Sequence, residues 1–501
     1  MRKLAIARYP ENDQWHGIFK EPLFMQLTIP LSKKPGPLFR RVYTHVRESI
    51  LSGNLAAGEK LPSTRDLAEQ LGISRTVALM AYDQLLAEGF ATGRPGSGTY
   101  VASGVPARLP GSKAKSAPVR LSRFGSSAAS AWSRMNFPAR ASHPLLYDFA
   151  YGRSDVGAFP FEMWRRLLLR CARKAPVSQF DYGPAGGNAR LREAICHHVR
   201  RSRAVVSDAS QVVIVNGSQQ ALDLIARVLF EKGEPVAIED PSYQGTTEIL
   251  RAAGARLLPV TVDEEGINPA KIPANARIVF ITPSHQYPTG VILPLTRRLA
   301  LLEWAKRKNA VMVEDDYDGE FRYQGHPLES LQGLDREGRV IYVGTFSRTV
   351  FAALRIGYLI APKRLVTAFL AAKWLCDRHT ASLEQEALAE FISNGMYERH
   401  LRRMRRQNAS RRSALLEAIR TYLGNRVEVT GDGAGAHVVL WPAKRQTEDS
   451  IIAAAARRGV RVYGIAPYFL KKPQRPGIVL GYSRMREPQI REGVRRLGEI
   501  I

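Results

Sequence analysis

Residues 344–358 read GTFSRTVFAALRIGY and follow directly on the apolar run Val340-Ile341-Tyr342-Val343. A short apolar run that ends in small and polar residues is typical of a buried strand in a parallel sheet. The residues after the run would then lie at the carboxyl end of the strand, where ligands bind in open α/β sheets. The stretch therefore predicts both a fold class and the place of a ligand site.

Four more apolar runs of the same kind precede this stretch, and helical stretches such as 219–231 and 295–308 separate them. The runs cover residues 212–215, 235–238, 277–281 and 311–313. Continuous apolar strands that alternate with helices indicate a mostly parallel sheet with helices on both faces. We therefore predict an α/β domain over residues 146–501.

Polar residues follow these runs at the strand ends. Asn216-Gly217-Ser218 opens a helix, and such a turn presents free backbone N–H groups to a phosphate. Tyr243 follows the second run, and Asp315 and Tyr317 follow the fourth. A pyridine ring with a phosphate needs this set: a phosphate cradle, an aromatic face, a carboxylate at the ring nitrogen and a phenol at the ring oxygen. Taken singly, each residue also fits a structural role as a cap, a surface acid or a packed ring.

Residues 37–101 have the pattern of a small helical module. An apolar residue at every fourth position predicts a first amphipathic helix. This stripe consists of Leu38, Val42, Val46 and Ile50. Ser63 and Ser74 are expected to cap two more helices on either side of Gly72, which is the pattern of a helix-turn-helix. The Gly-rich segment 90–101 predicts two short strands around a turn, a wing.

Two segments have no such pattern. Residues 1–36 form an N-terminal extension ahead of the winged helix, to which we assign residues 37–102. Residues 103–145 are rich in Pro, Ser, Ala, Gly and basic residues, which predicts a flexible tether.

The composition favours a polyanionic partner and a reducing compartment. The net charge of +27 is typical of proteins that bind nucleic acid, but it is distributed along the chain and does not locate the site. The Arg-rich segment 398–426 predicts a long helix with a basic face, with a second DNA-binding patch as the alternative. Three widely separated cysteines are expected to be buried free thiols, namely Cys171, Cys196 and Cys376. We find no signal peptide and no apolar run of about 18 residues, so we expect no membrane segment and a cytoplasmic protein.

Specific motifs carry a resemblance to two families. The module resembles the winged helix of GntR-type regulators in LPSTRDLAEQLGISR (61–75), AYDQLLAEG (81–89) and GSGTYV (96–101). Residues 147–499 resemble a fold-type I aminotransferase. The motifs are YGPAGG (182–187), NGSQQALDL (216–224), TPSHQYPTG (282–290), EDDYDGEF (314–321), GTFS (344–347) and ALRIGYL (353–359). The order winged helix, linker, aminotransferase-like domain resembles that of the MocR/GabR-type regulators.

The resemblance implies pyridoxal phosphate as the cofactor and double-stranded operator DNA as a partner. It implies Asp315 at the pyridine nitrogen, Tyr317 at the ring oxygen and Tyr243 over the ring. The phosphate contacts that it implies are Ser218, Gln219, Thr345, Ser347 and Arg355. For a substrate carboxylate we nominate Arg475, because the family places an arginine near the C-terminus. The DNA contacts that it implies are Arg65, Arg75, Thr76, Gly96 and Gly98. No metal site is predicted.

Arg348 stands where the family has the lysine that forms a Schiff base with the cofactor. A guanidinium stays protonated, so it can neither attack the aldehyde nor shuttle a proton. We therefore expect no efficient aminotransferase turnover and no catalytic residue. The pocket is expected to hold the cofactor, or its adduct with an amino acid, without a covalent bond. The alternative is a pocket that holds a different anion or nothing.

These expectations combine into a transcriptional regulator whose large domain senses a small ligand, an amino acid or an amine. The family's dimers are head-to-tail, and the tether is long enough for that arrangement. Two rivals stay open: a working aminotransferase with a DNA-binding appendage, and a degenerate regulator that uses the large domain only to dimerise.

Overall fold

A computed structural model describes residues 36–105, 119–135, 145–323, 328–443 and 446–501. The chain divides into two compact units, residues 1–120 and 121–501. Apart from residue 36, the predicted N-terminal extension lies outside the described residues.

The first unit contains the predicted winged helix. Its elements are α1 (Leu38–Ser52), α2 (Thr64–Leu71), α3 (Arg75–Ala87), β1 (Ala91–Arg94) and β2 (Gly98–Val101). The hydroxyl oxygen of Ser63 accepts a hydrogen bond from the backbone N–H of Asp66, and that of Ser74 accepts one from Val77. Gly72 ends α2 with φ at +61°, a conformation that glycine adopts without strain. Strands β1 and β2 pair antiparallel as the wing.

The second unit opens with a helix inside the predicted tether. Helix α4 (Arg123–Arg134) packs on α8 (Gln244–Ala252), and Arg134 forms an ion pair of 2.6 Å with Glu248. The prediction of a flexible tether over residues 103–145 is therefore wrong for this part of the segment. The Ser/Ala-rich sequence forms a helix because Ser122 caps it and Ala131 is buried.

The remaining helices and strands of the second unit follow the predicted α/β order. Before the large sheet lie β3 (Tyr147–Asp148), α5 (Phe161–Lys174) and α6 (Ala189–Arg203). The sheet strands are β4 (Val212–Val215), β5 (Pro235–Asp240), β6 (Arg256–Asp263), β7 (Gly266–Ile267), β8 (Ile278–Ile281), β9 (Val311–Asp316), β10 (Val340–Thr345) and β11 (Gly357–Ile360). The helices between and after them are α7 (Ser218–Leu229), α9 (Leu295–Lys308), α10 (Leu331–Leu334) and α11 (Lys363–Asp377).

The sheet has the strand order β4-β11-β10-β9-β8-β5-β6-β7. Strands β10, β9, β8, β5 and β6 are parallel, and β11 runs antiparallel between β10 and β4. All residues of β4, β8, β10 and β11 are buried, which explains their continuous apolar sequences. The predicted fold class is confirmed.

A smaller sheet and its helices follow. They are α12 (Ser382–Ser393), α13 (Met396–Tyr422), β12 (Val427–Thr430), β13 (His437–Pro442), α14 (Glu448–Arg457), β14 (Val460–Arg461), β15 (Tyr463–Gly464), β16 (Ile478–Gly481) and α15 (Glu487–Leu497). The Arg-rich segment forms the 27-residue helix α13. Its Arg405, Arg411 and Arg412 bind groups of the same unit, so the basic face is in large part structural. None of the helices in the described ranges is long and apolar enough to cross a membrane.

Candidate ligand site and DNA-binding surface

The polar ends of the strands meet at one edge of the large sheet. Asp315 pairs with Val343, and Asp316 pairs with Gly344, in the parallel register of β9 and β10. Thr345 pairs with Gly357 across β10 and β11. The register therefore brings the acid-rich end of β9 next to the segment that contains Arg348, as the sequence predicted.

The N-terminus of α7 and the side chain of Arg355 lie together, and we call this place the cup. Gly217 has φ at +83°, and Ser218 is the first residue of the helix, so backbone N–H groups point out of its end. Nη2 of Arg355 donates a hydrogen bond of 2.8 Å to the carbonyl oxygen of Asn216. A Cβ atom at Gly217 would lie 2.6 Å from that nitrogen, so only glycine leaves room for the arginine. The cup combines a helix N-terminus with a guanidinium, which suits a dianion.

Thr345 and Ser347 are hydrogen-bonded to each other near this cup. Their hydroxyl oxygens are 3.0 Å apart, and the backbone N–H of Ser347 donates to the Thr345 hydroxyl at 3.2 Å. Gly357 lies between the start of α7 and the end of β10, because a Cβ atom at Gly357 would lie 3.0 Å from both Gly217 and Gly344. The arrangement leaves the Ser347 hydroxyl proton free to donate to a ligand.

Lys373, which sequence reasoning missed, is a buried lysine that stabilises the turn before α7 through hydrogen bonds. Lys373 is fully buried, and its ammonium donates to Asp377 at 2.7 Å and to Gln220 at 3.0 Å. Asp377 also accepts from Nδ2 of Asn216 at 2.6 Å. Burial lowers the pKa of Lys373, and Asp377 opposes that shift. The ion pair fixes the turn that opens α7.

Asp315 has a buried oxygen with no partner. Its Oδ1 makes no hydrogen bond within the described structure. Burial, and then the charge of Asp316, raise the pKa of Asp315 to about 7, while Arg348 opposes the shift. A ligand N–H or a cation at this position would satisfy the oxygen and stabilise the carboxylate.

Tyr317 belongs to a buried hydrogen-bonded group. Its hydroxyl oxygen lies 3.0 Å from Nδ1 of His285, and the same nitrogen lies 3.0 Å from Oδ2 of Asp318. Sequence reasoning assigned no role to His285, because nothing local indicates that residues 285 and 317–318 would lie together. Nε2 of His437 lies 2.9 Å from the carbonyl oxygen of Pro288, and burial lowers the pKa of His437 to about 3, which keeps the ring neutral.

The donor atoms of His285, Asp318 and His437 lie within 4.8 Å of one another, as metal ligands can. Asp318 is already engaged by His285 through a hydrogen bond. Nδ1 of His285 therefore links the phenol of Tyr317 to the buried carboxylate of Asp318.

Tyr243, which precedes α8, and Gln219, the second residue of α7, lie side by side. A Cβ at Gly245 would lie 2.4 Å from the Tyr243 ring and 2.7 Å from Oε1 of Gln219. Tyr243 packs edge-on against Tyr287, with 5.5 Å between ring centroids, and its ring is partly exposed. This exposed aromatic surface is free to stack on a planar ligand.

The guanidinium of Arg348 lies between Tyr317 and Gly152. Its central carbon is 5.9 Å from the centroid of the Tyr317 ring. A Cβ at Gly152, where φ is +76°, would lie 3.1 Å from Nη1 of Arg348. Among the described residues, no carboxylate is within ion-pair distance of this guanidinium. A half-buried cation without a counter-ion favours an anionic ligand.

The guanidinium of Arg475 is engaged by other side chains of the second unit. Its guanidinium binds Glu428 through two hydrogen bonds of 2.5 and 3.2 Å, and it stacks on Trp441 at 4.4 Å. The prediction that Arg475 binds a substrate carboxylate is therefore corrected. A carboxylate and an indole on neighbouring strands hold the side chain, and position near the C-terminus could not reveal that.

In the winged helix, the predicted DNA contacts lie on the surface. Arg65, Arg75 and Thr76 are exposed on α2 and α3. Gly96 and Gly98 turn the wing with φ at +69° and +115°. Two cations that sequence reasoning did not single out lie on a ring of the wing: Arg94 stacks on Tyr100 at 4.4 Å, and Lys60 lies over the same ring at 5.9 Å.

Comparison with protein families matches both units. Residues 38–101 match the bacterial regulatory proteins of the gntR family. Residues 148–496 match aminotransferase class I and II.

Similar proteins include regulators and enzymes. The probable rhizopine catabolism regulatory protein MocR of Rhizobium meliloti is 38% identical, covering 92% of this chain and 93% of that protein. The transcriptional regulator TauR of Rhodobacter capsulatus is 33% identical, with coverages of 93% and 97%. The α-aminoadipate aminotransferase LysN of Thermus thermophilus, solved with N-(5′-phosphopyridoxyl)-L-leucine, superimposes with a TM-score of 0.67 at 29% identity over 74% of this chain and 96% of that one. The chain belongs to the MocR/GabR-type transcriptional regulators, which join a GntR-type DNA-binding domain to an aminotransferase-like domain.

Proposed function

We propose that the aminotransferase-like domain of this regulator binds pyridoxal phosphate, alone or as an amino acid adduct, without a covalent bond to the protein. The ligand then changes how the winged helix binds operator DNA. The observation that carries the proposal is Asp315, whose buried Oδ1 has no partner in a site that otherwise has a helix N-terminus, a phenol and an exposed ring.

The residues present fit the cofactor. The N-terminus of α7 and Arg355 would hold the phosphate, with Ser218 and Ser347 as hydroxyl donors. Thr345, whose hydroxyl donates to that of Ser347, would position this second donor. Asp315 would bind the ring nitrogen, and Tyr317 would donate to the ring oxygen. Gln219 and Tyr243 would cover the ring, since Gly245 places them together.

When bound, pyridoxal phosphate supplies an aldehyde and an electron-accepting pyridine ring. Arg348 has no lone pair with which to attack the aldehyde, and it cannot exchange protons near neutral pH. Its positive charge can instead attract anionic groups of the ligand. The proposed role is therefore recognition of the cofactor without aminotransferase catalysis.

An exposed apolar patch supports a homodimer. Its members are all more than half exposed: Val177, Phe180, Tyr182, Trp374 and Leu375. Arg378 stacks on both Tyr182 and Trp374, at 4.6 and 5.1 Å, so the patch is continuous there. Exposed apolar patches of this kind mark interaction surfaces. A head-to-tail pair would present two winged helices to the two halves of an operator, in the cytoplasm where the DNA lies.

We expect the dimer to have two arrangements of its winged helices, which differ in affinity for DNA. The ligand can shift the dimer between them only if the ligand binds one arrangement more tightly than the other. The test is calorimetric titration of the purified protein with pyridoxal phosphate, followed by DNA-binding assays with and without it. The proposal expects saturable cofactor binding and a shift in DNA affinity. Absence of cofactor binding would favour the degenerate regulator, and amino-group transfer would favour the enzyme.

A further inference from the structure

Helix α3 of the winged helix has two faces of different character. The face that packs against α1 and α2 is buried, and it consists of Ala78, Ala81, Tyr82 and Leu85. Because a helix has 3.6 residues per turn, the residues at positions 75, 76, 79 and 80 lie on the opposite face. All four are exposed. This exposed face is therefore turned away from the core of the first unit.

The exposed face has two large apolar side chains in its second turn. Leu79 is 49% exposed, and Met80 is 45% exposed. Single exposed apolar side chains are ordinary on protein surfaces, whereas neighbouring ones on one face indicate a contact surface. Burial of these two side chains against a partner would remove apolar surface from water.

Hydrogen bonds fix the helix that presents this pair. The hydroxyl of Tyr82 donates to the carbonyl oxygen of Pro62 at 2.9 Å, which ties α3 to the segment before α2. At the start of α3, the hydroxyl oxygen of Ser74 accepts from the backbone N–H of Val77 at 3.3 Å. The apolar pair is therefore held on a rigid helix before any partner binds.

The charges around the pair favour a polyanion. Arg75 is the first residue of α3, and the first turn has no acidic residue. The helix N-terminus adds a partial positive charge, and Arg65 is exposed on α2. The one acid of α3 is Asp83, a turn beyond Leu79, and a carboxylate in the major groove can accept from the amino group of cytosine. DNA fits both the cations and the single acid.

The major groove of DNA has one apolar feature that distinguishes a base. This is the C5 methyl group of thymine, whereas the other base edges are recognised through hydrogen-bond donors and acceptors. A recognition helix presents its N-terminal residues to these edges. Leu79 and Met80, in the second turn, offer apolar surface and so can distinguish thymine by its methyl group.

We propose that Leu79 and Met80 recognise thymine in the operator by packing against its methyl group in the major groove. The pair thereby contributes to sequence preference, in addition to the charge that Arg65 and Arg75 supply. The inference rests on the proposed function, in which the winged helix binds operator DNA. Each half of the operator should then have at least one thymine whose methyl group is required for full affinity.

Replacement of thymine by uracil removes only this methyl group and therefore tests the inference. The full-length protein is first used to select duplexes from a random pool, with and without pyridoxal phosphate. Each thymine of the selected half-site is then replaced by uracil in turn, and affinity is measured by fluorescence anisotropy. One or two replacements should weaken binding by about fourfold, as expected for loss of one buried methyl group.

The double variant Leu79→Ala with Met80→Ala should bind the thymine and uracil forms with equal affinity. It should bind the uracil form about as tightly as the wild-type protein does, which a misfolded helix could not. The matched control is Leu86→Ala, because Leu86 is also exposed, at 37%, but lies near the end of α3. This control should keep the fourfold difference.

Two results would overturn the inference and leave DNA binding intact. The first is a selected duplex whose affinity is the same with uracil at every thymine position. The second is a double variant that still distinguishes thymine from uracil by fourfold. Failure to select any duplex in either condition would instead contradict the proposed DNA-binding function, and the inference with it.

Discussion

The guanidinium carbon of Arg348 lies 5.9 Å from the centre of the Tyr317 ring. A permanent cation therefore faces the phenol that the family resemblance assigns to the cofactor's ring oxygen. The half-buried guanidinium lacks a counter-ion among the described residues, and Oδ1 of the neighbouring Asp315 lacks a hydrogen-bond donor. A ligand with an anionic group and a ring N–H would satisfy both.

Arg348→Lys should restore covalent attachment of the cofactor. A lysine of similar length can lose its proton and attack the aldehyde, which an arginine cannot. After addition of pyridoxal phosphate and borohydride, the mass of Arg348→Lys should increase by one cofactor, and the wild-type mass should not. If the variant binds the cofactor but gains no mass, the geometry assigned to position 348 is wrong.

Arg355→Ala should weaken binding of pyridoxal phosphate by about ten- to a hundredfold, because a charged donor is removed from the phosphate cup. The control is Arg227→Ala, whose guanidinium pairs with Asp223 on the exposed face of α7. Calorimetry should find the control unchanged. A normal affinity in Arg355→Ala would remove this arginine from the cofactor site.

Asp315→Asn should stabilise the ligand-free protein at high pH and weaken cofactor binding. Burial raises the pKa of the Asp315 carboxyl from 3.8 to about 7, so the folded state resists its ionisation. This contribution to stability is complete below pH 4 and is lost as the pH rises toward 7. At pH 8 the variant should be more stable than wild type by roughly 1–3 kcal/mol, with a smaller difference at pH 5. Thermal unfolding at both pH values measures this, and a gain that does not depend on pH would contradict it.

Arg75→Ala should reduce operator binding and its salt dependence. If Arg75 contacts a phosphate at the start of α3, its loss should lower the slope of log K against log salt by about one. Arg165→Ala lies in the other unit and serves as control. Fluorescence anisotropy at several salt concentrations gives the slopes, and unchanged slopes would exclude a phosphate contact by Arg75.

Local patterns in the sequence were sufficient for much of the fold. Ser63 and Ser74 cap the helices that the sequence predicts, because capping depends on residues only three positions apart. The apolar run 340–343 lies within β10, since a strand buried on both faces must be apolar throughout. The same logic placed Asp315 and Tyr317 at the carboxyl end of β9.

Features that depend on distant partners could not be predicted. Helix α4 is stabilised by contact with α8, which is more than a hundred residues away. The contacts of His285 with Tyr317 and Asp318 join segments that only the fold brings together. Arg475 was misassigned for the same reason, because its partners on neighbouring strands are not visible in its local sequence.

The central claim is that the site recognises pyridoxal phosphate but does not react with it. The most direct measurement is the absorbance spectrum of the unmodified protein titrated with pyridoxal phosphate, followed by borohydride treatment and mass spectrometry. We predict saturable spectral change with no mass increase, and no transfer of amino groups when amino acids are supplied. A spectrum without any change, a covalent product on the wild-type chain, or steady amino-group transfer would contradict the account.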